Sequence, residues 1–195
     1  MKIIEQHPVL VLASLGILSG YLGTLGLGFG FGEAPGLGIY MIHAGLLFGL
    51  VVAFGVWTWG NWSWTAAAVA LLATWVAWEA AVNLGLQLES NWLKDVVSSD
   101  TLRAYMTGSI AGAVGALLVW GGAAVVTPVL RRWSTAAMVV ATGATLGLLM
   151  QATNNYDSPA ILLVPWQAGV AAMLGFGLAP ARKAQHTSTI APVRT

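Results

Sequence analysis

The chain has 195 residues, of which 57% are hydrophobic and only 8% charged, and its mean hydropathy is +0.78. A soluble domain is about one quarter charged, so this chain cannot cover a water-facing surface and lipid must be its main solvent. The net charge of +1 supplies no basic stripe for phosphates, which excludes nucleic-acid binding, and the absence of cysteine excludes disulfides, thiolate metal sites and iron–sulfur clusters.

A helix needs about 20 apolar residues to cross the hydrocarbon core. Six segments meet or approach that length. The first runs from Pro8 to Gly28. Lys2 is offset by Glu5 ahead of it and no A-x-A site follows, so it reads as a retained helix rather than a signal peptide. Its Gly16 and Gly20 form a GxxxG pair, which favours close helix packing. A glycine-rich loop, Gly28 to Gly38, contains Glu33 and Pro35. It lacks a preceding strand and a following GK[ST], so it reads as a turn or lid rather than a phosphate loop.

The second span, Leu37 to Trp57, carries Tyr40 and His43 near its start. Trp57, Trp59, Trp62 and Trp64 then surround a turn at Gly60-Asn61, as in an interfacial aromatic belt. The third span, Thr65 to Leu88, holds Glu79 in its interior and Asn83 one turn later on the same face. An acidic residue at a helix centre costs roughly 2.5 to 3.5 kcal/mol on insertion scales, so it needs a partner, a cavity or a ligand. After it, Ser90 would cap a short interfacial helix with Trp92, Leu93, Val96 and Val97 on one face. Ser99 or Asp100 would cap the fourth span, Leu102 to Val126, which contains Gly108 and Gly112 and stops at Pro128. The fifth, Thr135 to Gln151, has a third GxxxG at Gly143 and Gly147. A polar turn leads to the sixth, Pro159 to Ala179, where Pro165 would kink the helix.

The fold expected is therefore an all-α, polytopic bundle of six transmembrane helices over residues 1–179, with a polar, mobile cytoplasmic tail at 180–195. Six spans put Lys2, Arg131, Arg132, Arg182, Lys183 and Arg194 on one side and Lys94 and Arg103 on the other. The positive-inside rule then places both termini in the cytoplasm, and the expected home is a bacterial inner membrane. Val76-Ala-Trp-Glu-Ala-Ala-Val82 in span three aligns with Val164-Pro-Trp-Gln-Ala-Gly-Val170 in span six. Each ends a triplet of spans, so a duplication would be inverted, as in transporter folds. Chance matching of abundant residues is the competing explanation.

With that topology the polar residues fall in the outer half of the bundle. Glu79, Asn83, His43, Tyr40, Gln167 and Gln151 are the candidate substrate-binding residues of an outward-facing pocket, with tryptophans as apolar walls and small residues closing it below. Each has a plainer reading: Glu79 and His43 could serve helix packing, or form a proton-coupling pair. No metal site, bis-histidine haem, Schiff-base lysine, H-E-x-x-H or G-x-S-x-G occurs, so an enzyme is not the leading reading.

The function expected is a small transport protein that binds a small solute. Size, span number and cytoplasmic termini resemble, in architecture alone, the substrate-binding subunits of energy-coupling-factor vitamin transporters. The alternative is an accessory subunit of a respiratory or photosynthetic complex. The expected partners are the lipid bilayer, a small-molecule solute, and other membrane subunits or a second copy. The last two would pack on the Gly16/Gly20, Gly108/Gly112 or Gly143/Gly147 faces.

Overall fold

A computed structural model describes residues 6–25 and 38–189, with the side chains of Asn61 and of 180–189 excepted. The helices are α1 (Pro8–Leu25), α2 (Ile42–Val56), α3 (Trp64–Gln87), α4 (Asp100–Val126), α5 (Trp133–Gly147), α6 (Met150–Tyr156) and α7 (Ala160–Thr189). Wide turns extend α2 to Gly60 and α3 to Trp92, and α6 continues α5, so six helices are long and apolar enough to cross a membrane. The expected number of spans is therefore present. Among the described residues, Ile42 rather than Leu37 begins the second span. Residues 26–37, which include most of the glycine-rich loop, lie outside the described residues.

Local chemistry explains the helix ends. Ser63 and Ser99 have extended backbones, and their hydroxyls accept from Ala66 N at 3.2 Å and Leu102 N at 3.3 Å. Arg131 reaches back to the free carbonyls at the end of α4, donating from Nε to Ala124 O at 2.9 Å and from a terminal nitrogen to Val125 O at 2.7 Å. A cation is favoured there by the helix dipole as well. Two expectations change. The interfacial helix from Ser90 is absent: α3 runs on through Leu88–Trp92 in a wide turn, closed by Leu93 N donating to Leu88 O at 2.9 Å. The expected mobile tail is helical as far as Thr189, because α7 continues beyond the span. Pro165 lies in the second turn of α7, inside the helix as expected.

Each span packs on its neighbours in the chain, and α7 closes on α1, so the spans form a ring. Glycines set the closest approaches. A Cβ on Gly16 would lie 2.7 Å from Gln167 O, on Gly20 2.7 Å from Val164 Cα, and on Gly175 2.8 Å from Pro8 O. Moving forward on α1 moves backward on α7, so the two are antiparallel, and the start of α1 lies at the same end of the bundle as the late turns of α7. In the same way Gly108 meets Gly147 and Gly112 meets Gly143, backbone against backbone. All three GxxxG faces are therefore filled from within the chain, and a partner helix would have to use another surface.

A sequential ring also bears on the inverted duplication. A two-fold axis in the membrane plane would reverse the direction in which the second triplet runs around the ring. Here all six spans run the same way round. The arrangement does not have that symmetry, although Trp78 and Trp166 of the two matching segments touch, with ring centroids 5.9 Å apart.

Four tryptophans sit at the end of the bundle where α1 begins. Trp57 stacks on Trp64 and meets Trp62 edge-on, each at 4.9 Å between centroids, and Trp133 is 86% exposed. Such a cluster suits a membrane–water boundary. Gly108→Ala should destabilise the bundle, because its methyl would land on the Gly147 carbonyl oxygen; overpacking of this kind costs about 1–3 kcal/mol or more. Gly121→Ala should be neutral or stabilising by up to about 1 kcal/mol, since nothing lies within 4 Å of the added carbon. Thermal melting of the two variants in detergent checks the contrast.

Candidate functional site

Glu79 lies 15 residues into α3. At 1.5 Å per residue that is about 22 Å along the helix, within reach of a hydrocarbon core about 30 Å thick. Its partner is not a side chain but the non-helical segment that leads into α2. Tyr40 N donates to Glu79 Oε2 at 2.6 Å. One turn on, Asn83 pairs with Gly38 in both directions: Gly38 N donates to Oδ1 at 2.9 Å, and Nδ2 donates to Gly38 O at 2.8 Å. Nδ2 also donates to the Glu79 carbonyl at 2.8 Å. The amide thus treats Gly38 as a strand neighbour would. Non-helical backbone inside lipid survives only where its polar groups are satisfied, and these two side chains satisfy both Gly38 groups and the Tyr40 N–H. The Trp75 indole neighbours the Glu79 carboxyl.

The segment ends at Met41, whose φ of 53° and ψ of 42° are left-handed and uncommon for a non-glycine residue. Two bonds to Gly38 and one to Tyr40 hold the chain on the approach to this strained residue. His43 follows in the first turn of α2 and donates from Nε2 to Gly23 O of α1 at 2.6 Å. It therefore ties α2 to α1. Gln167 is fully buried between α7 and α1, where Ser19 donates to its Oε1 at 2.6 Å. Gln151 donates to Asn155 Oδ1 at 3.0 Å within α6. Tyr40 contributes its backbone N–H.

The bundle does contain a cavity, of about 320 Å³, in the half away from the chain ends. Its floor is aromatic: Trp166 meets Trp78 at 5.9 Å and Phe48 at 5.8 Å, both edge-on, and donates from Nε1 to Gly143 O at 3.2 Å. Ala81, Val82, Gly85 and Leu86 of α3 form one wall and Ala111 and Gly112 of α4 another. Met41 and Met150 also line it, and Glu89, Thr153 and Pro159 stand at the end away from Trp78.

None of the six expected binding residues lines this cavity. They are not gathered in one place: Glu79, Asn83 and Tyr40 meet at the segment before α2, while His43, Gln167 and Gln151 bond elsewhere. The pocket is closed below by large aromatic rings rather than by small residues. Helical geometry explains the difference. Trp78, Val82 and Glu89 occupy the stripe of α3 that faces the cavity, and Glu79 and Asn83 occupy the next stripe, which faces the segment before α2. The Val-x-Trp match had already singled out Trp78 and Trp166. Met41, Gly85 and Met150 carried no signal that hydropathy could read. Among the described residues, no group of three or more histidine, aspartate or glutamate side chains could hold a metal ion.

No protein-family model matches the chain, and no curated protein or solved structure is similar to it.

Asn83→Leu should free the segment, because it strands both Gly38 backbone groups, each at a cost of about 1–3 kcal/mol. Hydrogen exchange at the Gly38 and Tyr40 amides should then quicken by about tenfold or more. Glu79→Gln keeps an acceptor for Tyr40 N–H and should have the smaller effect.

Proposed function

We propose that this is a small integral membrane protein of transport type, which binds a small, largely apolar solute in the cavity between α3, α4, α6 and α7. The observation that carries the reading is the cavity itself. It has an aromatic floor, walls of alanine, glycine, valine and leucine, and about 320 Å³ of space, which lies at the lower end of ligand pockets. It reaches from the bundle centre to Glu89, 11 residues beyond Trp78 or about 16 Å along the helix.

The proposed orientation follows the charges. Arg131 and Arg132 lie at the end of the bundle that holds the chain ends, so that end faces the cytoplasm of a bacterial inner membrane. The cavity then opens toward the outer face. In this reading Glu79 and Asn83 do not touch the solute. They brace the segment that delivers Met41 to the wall, and the solute meets apolar and aromatic surface. The reading as an accessory subunit of a larger assembly ranks second, because the glycine faces that would have supported it are filled within the chain.

Gly85→Leu tests the proposal. A Cβ at Gly85 would lie 3.6 Å from Ala111 and 3.8 Å from Thr107, ordinary contact distances, so the helix accepts a side chain there and the rest of it fills the cavity. In native mass spectrometry the wild type should carry one small apolar molecule that the variant lacks, with both folded. Stoichiometric protein partners and no such molecule would contradict the proposal and favour the assembly subunit.

A further inference from the structure

Glu89 is the one charged residue of the cavity lining. It stands beyond Trp78 by three helical turns and about 20°, so it prolongs the stripe of Trp78, Val82 and Gly85 that faces the space. Local structure gives no reason for an acid there. The wide turn Leu88–Trp92 ends the helix, and a helix C-terminus favours a cation. Among the described residues no cation of the chain pairs with Glu89. The ion pair there joins Arg103 to Asp100, both in α4. Glu89 is half-buried, at the mouth of a space that opens beneath it.

The rest of the lining constrains the body of the ligand. Ala81, Gly85, Ala111 and Gly112 offer no atom beyond Cβ. Thr107 turns its methyl carbon toward Gly85, and the Trp78 and Trp166 rings meet edge-on at the floor. These walls suit an apolar, aromatic body. They offer no set of acceptors to a primary ammonium, which carries three N–H donors. An ammonium whose charge is spread over carbon substituents has no N–H to strand, and indole faces attract it as well. An anion would be repelled by Glu89, and a neutral solute would leave its charge unanswered.

We infer that the cavity selects an organic monocation of quaternary-ammonium type with an aromatic body. Its charge sits at Glu89 and its ring points toward Trp78 and Trp166. The inference rests on the reading of the cavity as a binding site and names the class of solute. About 16 Å of helix separates the two ends, so a short spacer joins head and ring.

The test is calorimetric titration of the full chain in phosphatidylcholine nanodiscs, with empty nanodiscs as the blank. Three probes share a phenylpropyl body: phenylpropyltrimethylammonium, 3-phenylpropanol and 3-phenylpropionate. The cation should bind about tenfold tighter than the alcohol, with the anion weakest, because the mouth carries one negative charge. Glu89→Gln should bring cation and alcohol within about twofold of each other, and Glu89→Lys should place the anion first. Glu89 makes no ion pair, so both variants should melt close to the wild type. Equal affinity for cation and alcohol, or a cation preference that survives Glu89→Gln, would overturn the inference. If Gly85→Leu then abolished all binding, the binding site would still stand. Binding of none of the three probes would overturn both.

Discussion

The structure depends on how a stretch of non-helical backbone is held against a helix long and apolar enough to cross a membrane. Gly38 to Met41 runs beside the middle of α3. Asn83 bonds Gly38 in both directions and Glu79 takes the Tyr40 N–H. Each bond replaces one that a helix would have made for itself. An amide is suited to the task because it donates and accepts at once. The Glu79 carboxyl is suited because its oxygen accepts the Tyr40 N–H. Remove either, and the segment must find other partners in a medium that offers none.

That constraint sets the geometry of the cavity. Held at Gly38 and Tyr40, the chain enters α2 through Met41 in a left-handed conformation, and Met41 lines the cavity. Two adjacent stripes of α3 thus divide the labour. One braces the neighbouring segment with polar groups, and the other presents Trp78, Val82, Gly85 and Leu86 to the open space. Glycine contacts close α1 onto α7, and those between α4 and α5, at Gly108, Gly112 and Gly147, form part of the cavity wall. Space remains where α3, α4, α6 and α7 diverge around the Trp78–Trp166 pair.

The architecture was legible in the amino-acid order. Hydropathy located six spans, Ser99 was readable as a cap, and the glycine pairs were readable as close contacts. Glu79 and Asn83 were rightly picked as a pair on one face that needs partners. What could not be read was the partner. A side chain that bonds to backbone leaves no complementary residue in the sequence, so Gly38 and Tyr40 carried no sign of their role. Several of the polar residues and the cavity fall in the same half of the bundle, but hydropathy assigns depth along a helix and not direction around it. A rotation of about 100° per residue separates Trp78 from Glu79, and it decides which of them faces the space.

Photoaffinity labelling with a small apolar diazirine tests the central claim most directly, with modified residues mapped by mass spectrometry in the wild type and in Gly85→Leu. The account predicts adducts on Trp78, Met150 and Leu162 that disappear when Gly85 is replaced, and none of that sensitivity at Asn83 or Gln167. Replacement-sensitive labelling of Glu79, Asn83 and His43 would contradict it, and would return those residues to the lining of a binding pocket.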